Sequence, residues 1–243
     1  MRERYGIDAP GVFATFGALG VVCTVAAVVT AVTANGPVWT VVVIVLAGWA
    51  AASWVQFGWG VLGSLIGKRR EWRRLLDALR LKGTERVLEV GPGTGPVLVE
   101  VARRVPMGRV VGADVWRAKD QAGNSRAALG ANLAAAGVED RVEVVDGDVR
   151  ALPFPDGGFD IVLASLVVHN LPAGEREGAI RELHRVLAPG GRLVILDFQG
   201  TEAYAGALRE AGAEDVRRGG RLWSMHPPAR TVTALRHNGG GPL

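Results

Sequence analysis

Hydrophobic and polar positions divide the chain into two unlike parts. From Ala9 to Gly67 no residue is charged, so this stretch lacks the solvated face that an ordinary surface helix needs. Asn35-Gly36-Pro37 breaks it with a turn signal. Before the turn, Val12 to Thr33 makes about 33 Å of helix, enough to cross a bilayer core of about 30 Å. After it a second apolar stretch begins at Val38, with Trp39 and Trp59 about 30 Å apart along a helix, the spacing of an aromatic belt. The pattern predicts a transmembrane hairpin over residues 1–67, with spans near 12–33 and 38–59. A cleaved signal peptide is the alternative for the first span. The span's length and the second span behind it speak against that.

The flanks set an orientation. Arg2 and Arg4 precede the first span, the turn carries no charge, and Lys68, Arg69, Arg70, Arg73 and Arg74 follow the second. Both termini are therefore expected in the cytoplasm, with the hairpin a multi-pass anchor in the inner (plasma) membrane. Residues 68–84 read as a basic amphipathic helix lying on the bilayer through Trp72, Leu75, Leu76 and Leu79. Gly63 and Gly67 fit a small-xxx-small contact pattern, which leaves a homo-oligomer through the hairpin open.

From Glu85 onward, short β-branched runs alternate with helical periodicity. Strands are expected at Arg86–Val90, Arg109–Ala113, Arg141–Val145, Phe159–Ala164, Arg192–Leu196 and Thr231–Leu235. Helices are expected near Val97–Arg104, Ser125–Ala136, Glu175–Leu187 and Glu202–Ala211, with Gly137, Gly190 and Gly212 as stops. Such alternation predicts an α/β, doubly wound, Rossmann-like sheet over residues 85–237. The Gly-rich tail, 238–243, is expected to be disordered.

Composition narrows the class. With 49% hydrophobic and 21% charged residues among 243, the chain is neither disordered nor a coiled coil. A single cysteine, Cys23, excludes a disulfide framework and cysteine metal sites, and no His or carboxylate spacing suggests a metal. The net charge of +4 is small and spread along the chain, and gives no reason to expect nucleic acid.

The first strand of the second part runs into Gly91-Pro92-Gly93-Thr94-Gly95 and then a helix. Glycines at that junction let the backbone turn sharply and approach a ligand beyond the strand ends. By itself the loop is equally a structural turn. Asp114 closes the next strand, where a carboxylate suits a ribose diol. Asp148 and Val149 follow the third strand, as acceptor and N–H donor for an adenine edge. Three such sites at neighbouring strand ends describe a nucleoside-shaped cleft.

VLEVGPGTG, VVGADVW, GDVRALPFPDGGFDIVLASLVVHNL and RELHRVLAPGGRLVILDF together resemble a class I S-adenosylmethionine-dependent methyltransferase over residues 86–236. The resemblance implies a seven-stranded sheet of order 3-2-1-4-5-7-6 with the last strand antiparallel. Asp215–Arg217 is the segment left for the seventh strand. It also implies S-adenosylmethionine as methyl donor. Gly91, Gly93 and Gly95 would surround its methionine part, with Glu89 on the ammonium and Asp114 on the ribose. Val115 and Trp116 would line the adenine, Asp148 and Val149 read its edge, and Ser165 lie beneath. The segment from Ala113 to Asn124, with Asp120, Gln121 and Asn124, reads either as a polar rim of the site or as a helix N-cap.

A sulfonium methyl is already activated, so an enzyme mainly aligns the acceptor. If the acceptor must lose a proton, His169 with Asn170, just past the fourth strand, is the candidate base; the alternative is a stacking or capping histidine. His184 reads as structural, His226 has no clear placement, and Asp197 reads as a solvated strand-end acid. The loop after Leu196 is short, so cover for the acceptor must come from the hairpin side. A membrane-anchored methyltransferase of a lipophilic small molecule (a lipid, a quinone or isoprenoid ring) is the leading expectation, with the lipid bilayer as partner. The alternatives are a methyltransferase of a soluble metabolite, thiol or protein with the hairpin as tether, and a non-catalytic cofactor-binding scaffold. Nucleic acid is disfavoured as acceptor, because Ser165-Leu166-Val167-Val168 stands where an Asn/Asp-Pro-Pro-aromatic motif would.

Overall fold

The computed structural model describes residues 3–117 and 120–238. Arg2, Ala118, Lys119 and the tail beyond Asn238 lie outside the described residues. Two long helices come first, α1 (Pro10–Thr33) and α2 (Pro37–Leu62), each opening on a proline whose missing N–H costs nothing at a helix start. Both are long and apolar enough to cross a membrane. They pack through α1 glycines that receive α2 rings: a Cβ on Gly20 would sit 3.0 Å from Trp54, and one on Gly17 3.3 Å from Phe57. Trp54 Nε1 donates to Thr24 Oγ1 at 3.2 Å. Elsewhere their valines point outward, Val32 at 77% exposure.

A π-helical turn, Gly63–Gly67, carries the chain from α2 into α3 (Lys68–Leu79). Here the structure corrects the surface-lying helix. Trp72 is 0% exposed and Leu76 is equally buried, packed with Leu79 against Val97, Val101 and Val194 of the α/β domain. Trp72 Nε1 donates to Ser165 Oγ at 2.8 Å. The apolar stripe is real, but the sheet layer covers it, leaving little for a bilayer. Its basic neighbours are paired as well, Arg73 with Glu100 at 2.6 Å and Arg74 with Glu71 at 3.2 Å. The helix stops at Leu79 because Arg80 is left-handed, short of residue 84. Gly63 and Gly67 serve a contact within the chain. A Cβ on Gly67 would lie 1.8 Å from the Ser224 carbonyl, and one on Gly63 2.9 Å from the His226 amide.

The domain is a seven-stranded sheet, β1 (Arg86–Val90), β2 (Arg109–Asp114), β3 (Val142–Asp146), β4 (Phe159–Ser165), β5 (Leu187–Asp197), β6 (Ala213–Arg218) and β7 (Arg230–Arg236), in the order β3-β2-β1-β4-β5-β7-β6. β7 runs antiparallel between β5 and β6. Helices α4 (Pro96–Arg104), α5 (Arg126–Ala136), α6 (Ala173–Arg185) and α7 (Thr201–Glu210) cover its faces. The central strands are hydrophobic without alternation because both faces are covered. β6 is the seventh strand, an edge strand whose charges discourage pairing with other chains.

Candidate active site

A cavity of about 300 Å³ opens at the carboxyl ends of β1, β2 and β4, walled on its other side by the hairpin base. Gly91, Gly93, Glu89, Asp114, Val115, Asp148, Val149, Ser165, His169 and Asn170 all line it. Gly95 and Trp116 do not. Gly95 is the N-cap of α4. The Trp116 indole points to Asp146, donating at 2.7 Å, and its backbone N–H donates to Asp114 at 2.8 Å.

Gly93, at φ +57°, bonds its N–H to Asp114 Oδ2 at 2.9 Å, and a Cβ there would strike Gln121 Oε1. Each Asp114 oxygen thus accepts one backbone N–H and keeps a lone pair for another donor. Asp148 is held by Arg150, whose guanidinium keeps the carboxyl below its usual range. Glu89 is the anomaly. It is 1% exposed, Oε2 has no hydrogen-bond partner among the described residues, and burial pushes its pKa up to about 8, with Lys68 opposing and Asp114 adding to the rise. A buried acceptor left unpartnered is costly, and a ligand ammonium is the kind of donor that would satisfy it.

Past the end of β4 the cavity is lined by His169. Its Nδ1 lies 2.8 Å from Asp197 Oδ1 and its backbone N–H donates to Oδ2 at 3.2 Å. Asp197 is 0% exposed and also accepts from the Phe198 amide at 2.8 Å, which corrects its reading as a solvated acid. With the carboxylate accepting from Nδ1–H, the network assigns the free lone pair to Nε2. Arg176 donates to the carbonyls of His169 and Leu171 at 2.8 and 3.0 Å, and the Phe198 ring lies 4.4 Å from the imidazole. His226, unplaced by sequence, stands on the same cavity wall with Phe13, Met225 and Pro227. Its ring meets Trp59 edge-on at 4.7 Å and pairs with Gln56.

Sequence reasoning missed the strap at residues 3–9. Arg4 exchanges two 2.8 Å bonds with Asn132, the Gly6 amide donates to Thr94 Oγ1 at 3.2 Å, and Asp8 bonds Gln121, Ser64 and Lys68. Gln121 in turn accepts from the Thr94 amide at 2.7 Å. Asp120, Gln121 and Asn124 all line the cavity, as the polar rim reading has it, while Ser125 is the α5 N-cap.

A family model described as a methyltransferase domain matches residues 88–195. The ubiquinone/menaquinone biosynthesis C-methyltransferase UbiE of Hahella chejuensis is 31% identical over 193 residues, 72% of this chain and 74% of that one. Its counterpart in Pseudomonas putida is 33% identical over 187 residues, 70% of each chain. The chain belongs to the class I S-adenosylmethionine-dependent methyltransferases. A methyltransferase structure from Aquifex aeolicus shares the fold of this methyltransferase at TM-score 0.55 and 23% identity, covering 68% of this chain and 88% of that one. The Streptomyces coelicolor geranyl diphosphate C-methyltransferase does so at TM-score 0.57 and 14% identity, covering 70% and 79%. S-adenosylmethionine is the methyl donor, and its site fits the orphaned Glu89 oxygen, the acid on β2 and the glycine turn beside it. When bound it supplies an electrophilic methyl on a sulfonium.

Proposed function

We propose that the hairpin anchors this methyltransferase in the inner membrane, both termini cytoplasmic, and that it methylates a lipophilic small molecule. The acceptor class we favour is a prenylated hydroxylated ring of the quinone type, methylated at carbon. One observation carries the reading: the cavity at the strand ends is walled on its other side by the hairpin base itself, through Val12, Phe13 and Gly63. An apolar acceptor dissolved in the bilayer would meet this wall without crossing water. The relatives named for quinone biosynthesis support the ring.

In this reading Glu89, Gly91, Gly93, Asp114, Val115, Asp148, Val149 and Ser165 hold the cofactor. His169 Nε2 takes a proton from a ring hydroxyl, which makes the adjacent ring carbon nucleophilic; as that carbon bonds the methyl the donor's S–CH3 bond breaks, and the hydrogen the carbon carried leaves as a proton when the ring regains aromaticity. Asp197 holds the imidazole in the tautomer this needs and stabilises the imidazolium that forms. Arg176 and Asn170, which donates to Leu166 at 3.2 Å, position the turn. Phe198 and Phe13 exclude water and can hold a ring by edge or face.

The test uses the full chain in lipid nanodiscs with S-adenosylmethionine. Product is followed by mass spectrometry for a prenylated hydroquinone, the same ring without its tail, and a soluble metabolite extract. The expected result is kcat/KM at least about tenfold higher for the tailed ring, a difference of about 1.4 kcal/mol. Equal rates for tailed and tailless rings, or turnover of the soluble extract alone, would return the hairpin to a plain tether. Cofactor binding without turnover of any acceptor would favour a scaffold.

A further inference from the structure

The two ends of the hairpin meet at the cofactor cavity. Asp8 is the last charged residue before α1, and Lys68 is the first after α2. Lys68 Nζ donates to both Asp8 oxygens at 2.7 Å. Asp8 also accepts from Gln121 Nε2 at 2.9 Å and from Ser64 Oγ at 3.3 Å, so its acceptor capacity is nearly filled. An ammonium has three N–H groups. The third on Lys68 has no partner among the described residues, although Lys68 is buried and lines the cavity. Glu89 lines the same cavity with its unpartnered Oε2, close enough for the two charges to interact. A buried cation with a spare donor beside a buried carboxylate with a spare acceptor complements an amino-acid zwitterion, which brings one carboxylate and one ammonium.

We propose that Lys68, held in place by Asp8, binds the carboxylate at the methionine end of the cofactor while Glu89 binds the ammonium. The hairpin thereby supplies half of that subsite. The pairing goes beyond the acceptor reading and needs only that S-adenosylmethionine is the donor, so it can fail or hold whatever the acceptor is.

The experiment titrates the full chain in nanodiscs with S-adenosylhomocysteine and with 5′-methylthioadenosine, which keeps the nucleoside and thioether but lacks the amino-acid end. Lys68→Met is expected to weaken S-adenosylhomocysteine about 10–100-fold, the scale of a lost charge-assisted hydrogen bond. Methylthioadenosine should stay within about twofold, which also shows that the variant is folded. Asp8→Asn should give a smaller loss with the same selectivity, because Lys68 keeps its charge and loses its anchor. Equal losses for both ligands would make Lys68 merely structural and overturn the proposal, as would no loss for either. Should Lys68→Met fail to fold, Lys68→Met with Asp8→Asn leaves no lone buried charge. The same selective loss is expected there, and an equal loss for both ligands overturns the proposal again.

Discussion

The hairpin and the α/β domain use the same aliphatic residues in opposite ways. In the domain, valines and leucines turn inward, and Val99, Val101, Leu163 and Leu193 are fully buried. In the hairpin, Val25, Val28, Val32 and Ile44 face outward, which is stable only where the surroundings are themselves apolar. The difference teaches where charge is tolerated. The hairpin carries none between Ala9 and Gly67, whereas the domain buries Glu89, Asp114 and Asp197 at strand ends. Charge and apolar surface meet at the hairpin base, and that junction borders the cavity proposed as the site.

The largest effect expected on the domain side comes from His169→Gln. Loss of the proposed base should lower kcat by about 10²–10⁴-fold and leave S-adenosylhomocysteine affinity unchanged, as steady-state rates and calorimetry together would show. Asp114→Ala should act on the other half, weakening the cofactor by about 100-fold or more in the same titration. It removes the proposed ribose acceptor and strips the Gly93 and Trp116 amides of their partner, each worth about 1–3 kcal/mol when buried.

Glu89 sharpens the comparison through pH. Its carboxyl is mostly neutral below about 8 in the cofactor-free protein, and a ligand ammonium favours the charged form. Binding near neutrality should therefore release a proton, and affinity should rise by up to about tenfold per pH unit toward 8, then level off. Calorimetry in buffers of different ionisation enthalpy measures both, and Glu89→Gln should abolish the pH slope. The sign for stability is opposite. Between the ordinary glutamate value of 4.5 and about 8 the native state holds a proton that the unfolded chain has lost, so Glu89 makes the cofactor-free fold less stable as pH rises through that window.

The smallest effect concerns α3. Trp72→Phe keeps most of the buried ring and removes the bond to Ser165, for a loss of about 1 kcal/mol read by thermal unfolding.

Much of this architecture was legible before any coordinates. The glycine turn, Asp114 and Asp148 sit at strand ends, and strand ends are set by local hydrophobic runs. The uncharged run delimited the hairpin for the same reason. What escaped depends on contacts distant in sequence. The stripe at Trp72, Leu76 and Leu79 announces an apolar neighbour without saying which, and a sheet layer serves as well as a bilayer. Asp197 closes a strand as a solvated acid would, and it is buried by contacts distant in sequence, the His169 turn reaching back over it among them. β6 is mostly polar, Glu214, Asp215, Arg217 and Arg218 among its residues, so no alternation marked it, and only the resemblance, which left Asp215–Arg217 for a seventh strand, located it. The strap at residues 3–9 has no periodicity at all. Its one signal was an acid directly before the uncharged run and a lysine directly after it, opposite charges that close the hairpin like a clasp.

The claim that hairpin base and sheet edge build one site is tested most directly by a substitution in the hairpin. Gly67→Ala places a Cβ against the Ser224 carbonyl and must push α3 and Lys68 away from the loop, whereas Gly58→Ala meets nothing within 4 Å. In nanodiscs, S-adenosylhomocysteine affinity should fall by at least about tenfold in Gly67→Ala and stay at the wild-type value in Gly58→Ala. Wild-type affinity in both variants would contradict the account.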